Sequence, residues 1–501
     1  MCALLLPGGA PWAQPPPPAP RPAQLALSLR EAISLALSKN FDILIESFVP
    51  RIRETDVVRE ESVFDPAATA DLVAQKDIAQ SPSRFFPGGV SRSGEQKVTL
   101  GFEQRVVSGA QYRLALEGLR VTTNSGNVLF DPRFEGNLVL TLTQPLLKDF
   151  GVDVNRAQIR IAQLSRDQSL LAYRARVIEV LSLVQGAYWE LVFAIEDLAT
   201  KRKSLELAKD LLRRNRIQVE VGTLAPIEIL QAEAAVASRE EDVIVAENAV
   251  RDAEDRLKRI LNLPGGLRDW ETRILPTDKP QFRPEPVNLR ESIRTALRAR
   301  PDYRQLRLRV QSQRIQLQRA RNQTLPQLNL LASAGLTGLD NTRRGAADRL
   351  SSGDFYSWEV GVGFRIPLGN RAARSGLTRR RLEALQAALE LRNLEQKVIE
   401  EVRAGVRRLV RDEKRVAATR VARRLAEKQL DAQEKKFSVG LSTSREVLED
   451  QEALATALIG EVNAIVDYNK SLVNLARVTS TALEKHRVVL EDPRKRPLVG
   501  P

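Results

Sequence analysis

Two stretches of this 501-residue chain, about 155–219 and about 371–437, contain no proline. Proline inside a helix costs ~3 kcal/mol, so its absence from such long polar–apolar segments predicts two helices of about 65 residues. Gly186 and Gly405 inside them cost only about 1 kcal/mol each. At a rise of about 1.5 Å per residue, each helix is about 97 Å long and must project from any compact domain. A Val-Gly turn follows each, at Val221-Gly222 and Val439-Gly440, and a return helix is expected after each turn, at about 226–262 and 443–482.

This order arises by duplication. Leu27-Ser-Leu-Arg-Glu-Ala-Ile-Ser-Leu-Ala-Leu37 matches Val287-Asn-Leu-Arg-Glu-Ser-Ile-Arg-Thr-Ala-Leu297, and the two turns correspond in the same sense. The expected organisation is a leader-like, Pro-rich tail at 1–24, a first repeat at 25–263, a linker at 264–286, a second repeat at 287–485 and a basic tail at 486–501. Each repeat opens with a short helix (about 29–39 and 289–299) and a longer one (about 41–62 and 302–323). On the first return helix Ile229, Val236, Val243, Val250 and Leu257 recur every seventh residue, with Ala232, Ala246, Ala253 and Ile260 three further on. That is a heptad seam whose small residues allow close helix approach.

Between the helices the period changes to two. Val98–Gln104, Leu138–Pro145 and Trp358–Pro367 alternate; Val360, Val362, Phe364 and Ile366 share one face, with Gly361, Gly363 and Arg365 opposite. About ten residues with an apolar outside and a polar or small inside is the pattern of a transmembrane β-strand. Such segments are expected at 66–75, 95–107, 110–122 and 134–145 in the first repeat, and at 326–336 and 357–367 in the second. Six strands do not easily close a barrel and open edges cannot sit in lipid, so if these strands are in a membrane several chains must share one barrel.

Composition removes most chemistry. There is one His (His486), one Cys (Cys2) and one Met. No Cys/His zinc site, internal disulfide or Ser–His dyad can be assembled. His486 is read as a solvated side chain of the basic tail. No phosphate loop, Rossmann glycine pattern or nucleophile elbow is present, so no enzyme and no cofactor is expected. The net charge is +14, but the arginine pairs, such as Arg213-Arg214 and Arg407-Arg408, lack interleaved aromatics, so no nucleic-acid partner is expected. No apolar run reaches the ~18 residues of a spanning helix. The first residues resemble the end of a secretory leader, and Cys2 has no upstream lipobox.

The duplicated opening motif, the strand ends Gln144-Pro145-Leu146 and Ile366-Pro367-Leu368, and the tips Val221–Glu233 and Val439–Glu449 resemble the TolC-like family of outer-membrane efflux proteins over about residues 25–485. The resemblance implies an α+β membrane protein: a tandem helix–strand–helix repeat forming a shared transmembrane β-barrel and a long periplasmic α-helical coiled-coil tunnel. It implies a homotrimer in outer-membrane lipid, extending into the periplasm, that docks on a periplasmic adaptor and an inner-membrane pump of RND, ABC or MFS type. Its role is then a passive exit duct for efflux or type I secretion. The alternative from residues alone is a soluble, elongated coiled-coil protein.

Carried to this chain, the resemblance places acidic rings of the periplasmic aperture at Glu446 and Glu449, three residues apart on one helix face. A tip lock falls on Glu228, with Arg445 standing in for a basic partner because the family positions are Ser442 and Phe437 here. Adaptor-contacting tips are Val221, Gly222, Thr223, Leu224, Val439, Gly440, Leu441 and Ser442. The first repeat carries a hairpin at about 95–122 that the second lacks. Its many charges favour a position at the rim or outside the membrane rather than in the barrel.

Overall fold

A computed structural model of the chain describes residues 24–263 and 270–495. Cys2, the leader-like segment, residues 264–269 of the linker and the end of the basic tail lie outside the described residues. The chain forms two compact units, one of Met1–Ile43, Val177–Val287 and Ala404–Arg477, the other of Leu44–Arg176, Asn288–Arg403 and Val478–Pro501. Each unit therefore draws on both sequence repeats.

The first unit is helical. It contains α1 (Leu29–Lys39), the later part of α3 (Ala157–Glu220), α4 (Ile227–Leu261), the later part of α8 (Arg371–Ser438) and nearly all of α9 (Ser444–Thr479). α1 starts at a capping box: the Glu31 N–H donates to Ser28 Oγ and the Ser28 N–H returns to Glu31 Oε2 at 2.8 Å. A two-stranded parallel ladder, β1 (Gln24–Leu27) with β6 (Arg273–Pro276), ties the start of the first repeat to the linker; four-residue strands leave no readable alternation. Beside it Tyr188 is fully buried and its hydroxyl donates to the Leu27 carbonyl at 3.1 Å. The Asp278 N–H donates to the same hydroxyl at 3.2 Å, and burial pushes the phenol up to about 12. One window of α3 is apolar enough to span a membrane by composition, but 61% of it is buried in the chain. It supplies Val177, Leu181, Val184 and Leu191 to the interior, so it is a core helix.

The second unit holds α2 (Phe41–Glu61), α5 (Leu289–Ala299), α6 (Pro301–Asn322), α7 (Arg343–Ser352) and one six-stranded sheet. The strands are β2 (Ala67–Gln80), β3 (Val90–Arg105), β4 (Gln111–Thr123), β5 (Arg133–Pro145), β7 (Gln327–Asp340) and β8 (Tyr356–Arg365). They lie in the order β2-β3-β4-β5-β7-β8, every neighbour antiparallel, so β2 and β8 are the edges. The β3–β4 hairpin is thus inside the sheet, which corrects the expectation that residues 95–122 stand at the rim. Its lower turn is bonded into the chain leading to α3: the Gly151 N–H donates to the Ser108 carbonyl at 3.0 Å and Arg105 Nη2 to Asn155 Oδ1 at 2.7 Å. Gly109 takes φ +98° there, where a Cβ would lie 2.4 Å from the Asp149 carbonyl oxygen.

Candidate functional site

Register decides what the sheet can face. Ala70, Leu100, Leu116, Leu138 and Leu336 are paired level with one another across β2, β3, β4, β5 and β7. So are Ala68, Phe102, Leu114, Leu140, Ala334 and Trp358 across all six strands. Residues opposite each other in a ladder share a face, so these rows form one continuous apolar band. On β8 it continues through Val360, Val362 and Phe364, all well exposed in the single chain. The intervening positions carry Asp71, Lys97, Glu103, Arg113, Glu117 and Glu359 on the other face. Lys97 and Glu117 pair there at 2.7 Å. This sorting is why the charges of the 95–122 hairpin do not keep it out of the sheet: nearly all fall on the polar face. The exception is Arg120, whose Nη1 donates to Gln96 Oε1 at 3.3 Å near the upper end.

α7 lies against the apolar face. Gly118, Gly136 and Gly338 sit level on β4, β5 and β7, making a shallow row without side chains. α7 covers the last two, with Ala346 buried and Arg343 stacked 5.7 Å over the Phe134 ring. Thr342 caps the helix through the Gly345 N–H.

In the helical unit both tips close the same way. Gly222 and Gly440 adopt φ +77° and +79°. The Thr223 N–H donates to the Gln218 carbonyl at 2.8 Å and the Leu441 N–H to the Lys436 carbonyl at 2.9 Å, as Schellman caps require. Of the expected tip residues, Val221, Val439 and Leu441 are 67%, 68% and 78% exposed, so three apolar side chains project with nothing covering them.

Glu446 is not a free carboxylate. It is the third helical residue of a second capping box: Thr443 N–H donates to its Oε2 at 3.2 Å, while its own N–H reaches Thr443 Oγ1 at 3.4 Å. Ser442 Oγ and Gln433 Nε2 also donate to Oε2, at 2.7 and 2.9 Å. These bonds, Ser442's first, hold its pKa below the usual carboxylate value. Glu449 pairs with Arg445 at 2.8 Å. Within the chain, therefore, Glu228 and Arg445 are not brought together. Arg445 serves Glu449, and the Glu228 side chain leaves Oε2 buried without a hydrogen bond while its carbonyl accepts from Asn215. Phe437 is buried against Leu211, Leu430 and Val447.

A polar hub that the sequence reading missed joins the two hairpins. Arg239 is 8% exposed and donates through Nη1 to Gln451 Oε1 at 3.0 Å and to the Ser204 carbonyl at 2.9 Å, and through Nη2 to the Leu448 carbonyl at 3.3 Å. Asn215 donates to Ser444 Oγ at 2.7 Å, both fully buried. Arg239 occupies the buried row Ala232, Ala246, Ala253 and Ile260, while Val236, Val243 and Val250 are only half-buried. His486 is also half-buried rather than solvated, and burial, then Lys485, lowers its pKa. Among the described residues no group of three or more His, Cys, Asp or Glu could hold a metal ion.

A duplicated chain with a one-sided apolar sheet and two long helical hairpins has the build of a membrane-channel subunit. The family profile for outer membrane efflux proteins matches residues 104–263 and 292–481. The chain belongs to the outer membrane efflux protein family and is an outer-membrane protein, not a soluble coiled coil. Outer membrane protein TolC of Escherichia coli (strain K12) is 24% identical over 318 residues, 62% of this chain and 63% of that protein, so the chain spans under two thirds of that relative's length. Outer membrane efflux protein BepC of Brucella suis biovar 1 is 24% identical over 384 residues, 75% of this chain and 78% of that one. The fold is that of the Campylobacter jejuni CmeC outer membrane channel, with TM-score 0.66 and 17% identity over 91% of this chain and 89% of that one.

Proposed function

We propose that the protein is the exit duct of an export system: a homotrimer whose sheets share one barrel in the outer membrane and whose hairpins form a periplasmic tunnel. It is a passive conduit, and its partners supply the energy. The observation that carries this reading is the sheet itself. One face is apolar across all six strands, and both edges, β2 and β8, are left with unpaired backbone groups. In lipid each such group costs several kcal/mol, so the sheet must be completed by further copies.

The exposed tip side chains Val221, Val439 and Leu441 support docking on a periplasmic adaptor, and through it on an inner-membrane pump of RND, ABC or MFS type. In this reading Glu446 and Glu449 ring the periplasmic aperture. Glu446 supplies the fixed charge, because Arg445 offsets Glu449. The test is extraction of outer membranes in detergent followed by native mass measurement and planar-bilayer recording. A trimer of ~168 kDa with ion conductance is expected from a 55.9 kDa chain. A monodisperse monomer that stays in water without detergent contradicts the reading. Changing Val439 and Leu441 to Asp is expected to abolish export while leaving the trimer intact; unimpaired export would remove the tips from the docking surface.

A further inference from the structure

The register of the sheet contains the geometry of its closure. Following the ladder partners from Val360 on β8 leads through Ala332, Leu142 and Tyr112 to Gln104 on β3. The residue pairing at β2 begins one step higher, at Ala67 with Glu103. The middle of β8 is therefore level with the chain just before β2 begins, about seven residues below the middle of β2. Seven residues at ~3.4 Å rise span ~24 Å, and five strand spacings of ~4.8 Å also span ~24 Å. The strands thus lean about 45° to the line joining their centres, near the upper end of the tilt found in closed membrane barrels. The stagger accumulates in the same sense at every pairing, β3 and β4 included, so the hairpin is not detached from the sheet.

We propose that three copies of this sheet close into a single eighteen-stranded barrel, β8 of each copy pairing antiparallel with β2 of the next. This rests on the trimeric-channel reading and deepens it. The occupant of each open edge is a second copy, because only an edge with the opposite direction and the same tilt can extend the ladder. β8 and β2 supply that, and both carry the apolar band on the same face: Val360, Val362 and Phe364 on one, Ala70, Leu72 and Ala74 on the other. Carrying the stagger one step further places Val360 opposite about Ala74 of the neighbour.

The consequence is a wide pore. Eighteen strands at this tilt give a backbone diameter of about 38 Å, whereas twelve strands give about 25 Å, so the membrane end is about 1.5-fold wider. The pair β3 and β4 has no counterpart in the second repeat, where β7 is followed directly by β8 through α7, so the extra width comes from the first repeat of this chain. Barrels of this size leave an aqueous channel.

The test is electron microscopy of the full-length protein in lipid nanodiscs, with the ring diameter read from end-on views. A three-copy ring of about 38 Å is expected. A three-copy ring of about 25 Å, with protein lying outside it, overturns this proposal and leaves the duct reading intact. Absence of a three-copy ring overturns both. A second measurement fixes the seam. In a Cys2→Ser background, Val360→Cys is combined in turn with Leu72→Cys, Ala74→Cys and Lys76→Cys. A covalent trimer is expected, strongest with Ala74→Cys. Cross-linking of Val360→Cys to Leu114→Cys on β4 instead would mean that β2 and β3 have left the barrel.

Discussion

The row Gly118, Gly136 and Gly338 offers a graded test of how α7 is held. All three lie level on adjacent strands, so adding one methyl group to each changes the same face at the same height. The surroundings differ. A Cβ at Gly118 meets nothing within 4 Å, at Gly136 it meets Leu350 Cδ2 at 3.3 Å, and at Gly338 it meets the Ala346 carbonyl oxygen at 2.1 Å and the Leu350 nitrogen at 2.6 Å. The first contact is free and the second falls on the movable end of a side chain. The third is with helix backbone, which must retreat by about 1.3 Å to reach ordinary contact. That retreat opens the seat of Ala346 and Leu350, which are buried and half-buried. Losing it costs about 2 kcal/mol of apolar burial, roughly a thirty-fold rise in the undocked population. Limited trypsin digestion of the detergent-solubilised protein reads this population at Arg343, Arg344 and Arg349. Gly338→Ala is expected to raise cleavage roughly thirty-fold, Gly136→Ala less than about three-fold, and Gly118→Ala not at all, because alanine also favours the strand slightly. Equal cleavage in all three variants would refute the close packing of α7 on Gly338.

Three further outcomes follow from the helical unit. Arg239→Met alone leaves Gln451 and two carbonyls without their buried donor and is expected to cost about 3–5 kcal/mol. Adding Gln451→Leu should recover most of that loss, and the thermal unfolding midpoints of the four proteins in this cycle measure it. Tyr188→Phe removes a hydroxyl that serves the Leu27 carbonyl and the Asp278 N–H, at a cost of about 1–3 kcal/mol in denaturant unfolding. Because the folded phenol is raised to about 12 from 10, its contribution is complete below pH 10 and is lost as pH climbs from there toward about 12. Tyr188→Phe should flatten that alkaline loss. Glu446 has the opposite sign: its folded pKa is lowered, so its contribution is present above the ordinary carboxylate range and fades as pH falls through the folded value. Ser442→Ala removes the first cause of that shift and should move the acid-side loss of cation preference in single-channel records to higher pH. An unchanged midpoint would separate Glu446 from the aperture.

The long helices were legible because a missing proline and a periodic apolar stripe persist over many turns; α3, α4, α8 and α9 end within about three residues of the boundaries read from sequence. The strands were legible only where one face is apolar. β2 continues through Lys76, Asp77 and Gln80, and β3 begins through Ser91, Arg92 and Ser93. These residues are polar on both faces, so only ladder pairing defines them. α7 shows no stripe beyond Ala346 and Leu350 and therefore read as loop. Two site features did leave signals. Thr443-Ser444-Arg445-Glu446 is a capping box in sequence, which announces that Glu446 will fold back on its own helix. Arg239 interrupts a row of small residues seven apart, where a surface charge would break the seam and a buried one fixes its register. What no local pattern holds is the partner of that arginine, since Gln451 comes from the other repeat.

The β3–β4 hairpin also shows how such a chain can change its membrane end without disturbing the rest. β2 leaves α2 at one end of the sheet and β5 must return to that end, because the chain continues from it into α3. An odd number of inserted strands would deliver residue 146 to the opposite end and sever that continuity. Two antiparallel strands restore it, and the smallest increment that keeps every helix connection is therefore one hairpin. In the proposed three-copy barrel each copy then adds two strands to the circumference, and three copies add six. The lower turn at Val106–Ala110 makes the increment secure. It bonds to Gly151 and Asn155 beside the start of α3, so the inserted pair is held at the same level as the strands it separates. If those bonds set that level, Arg105→Ala, which removes the bond from β3 but leaves Asn155 bonded to the Asp149 and Gly151 carbonyls, should loosen the turn and lower trimer yield; an unchanged yield would show that the bond does not set the level.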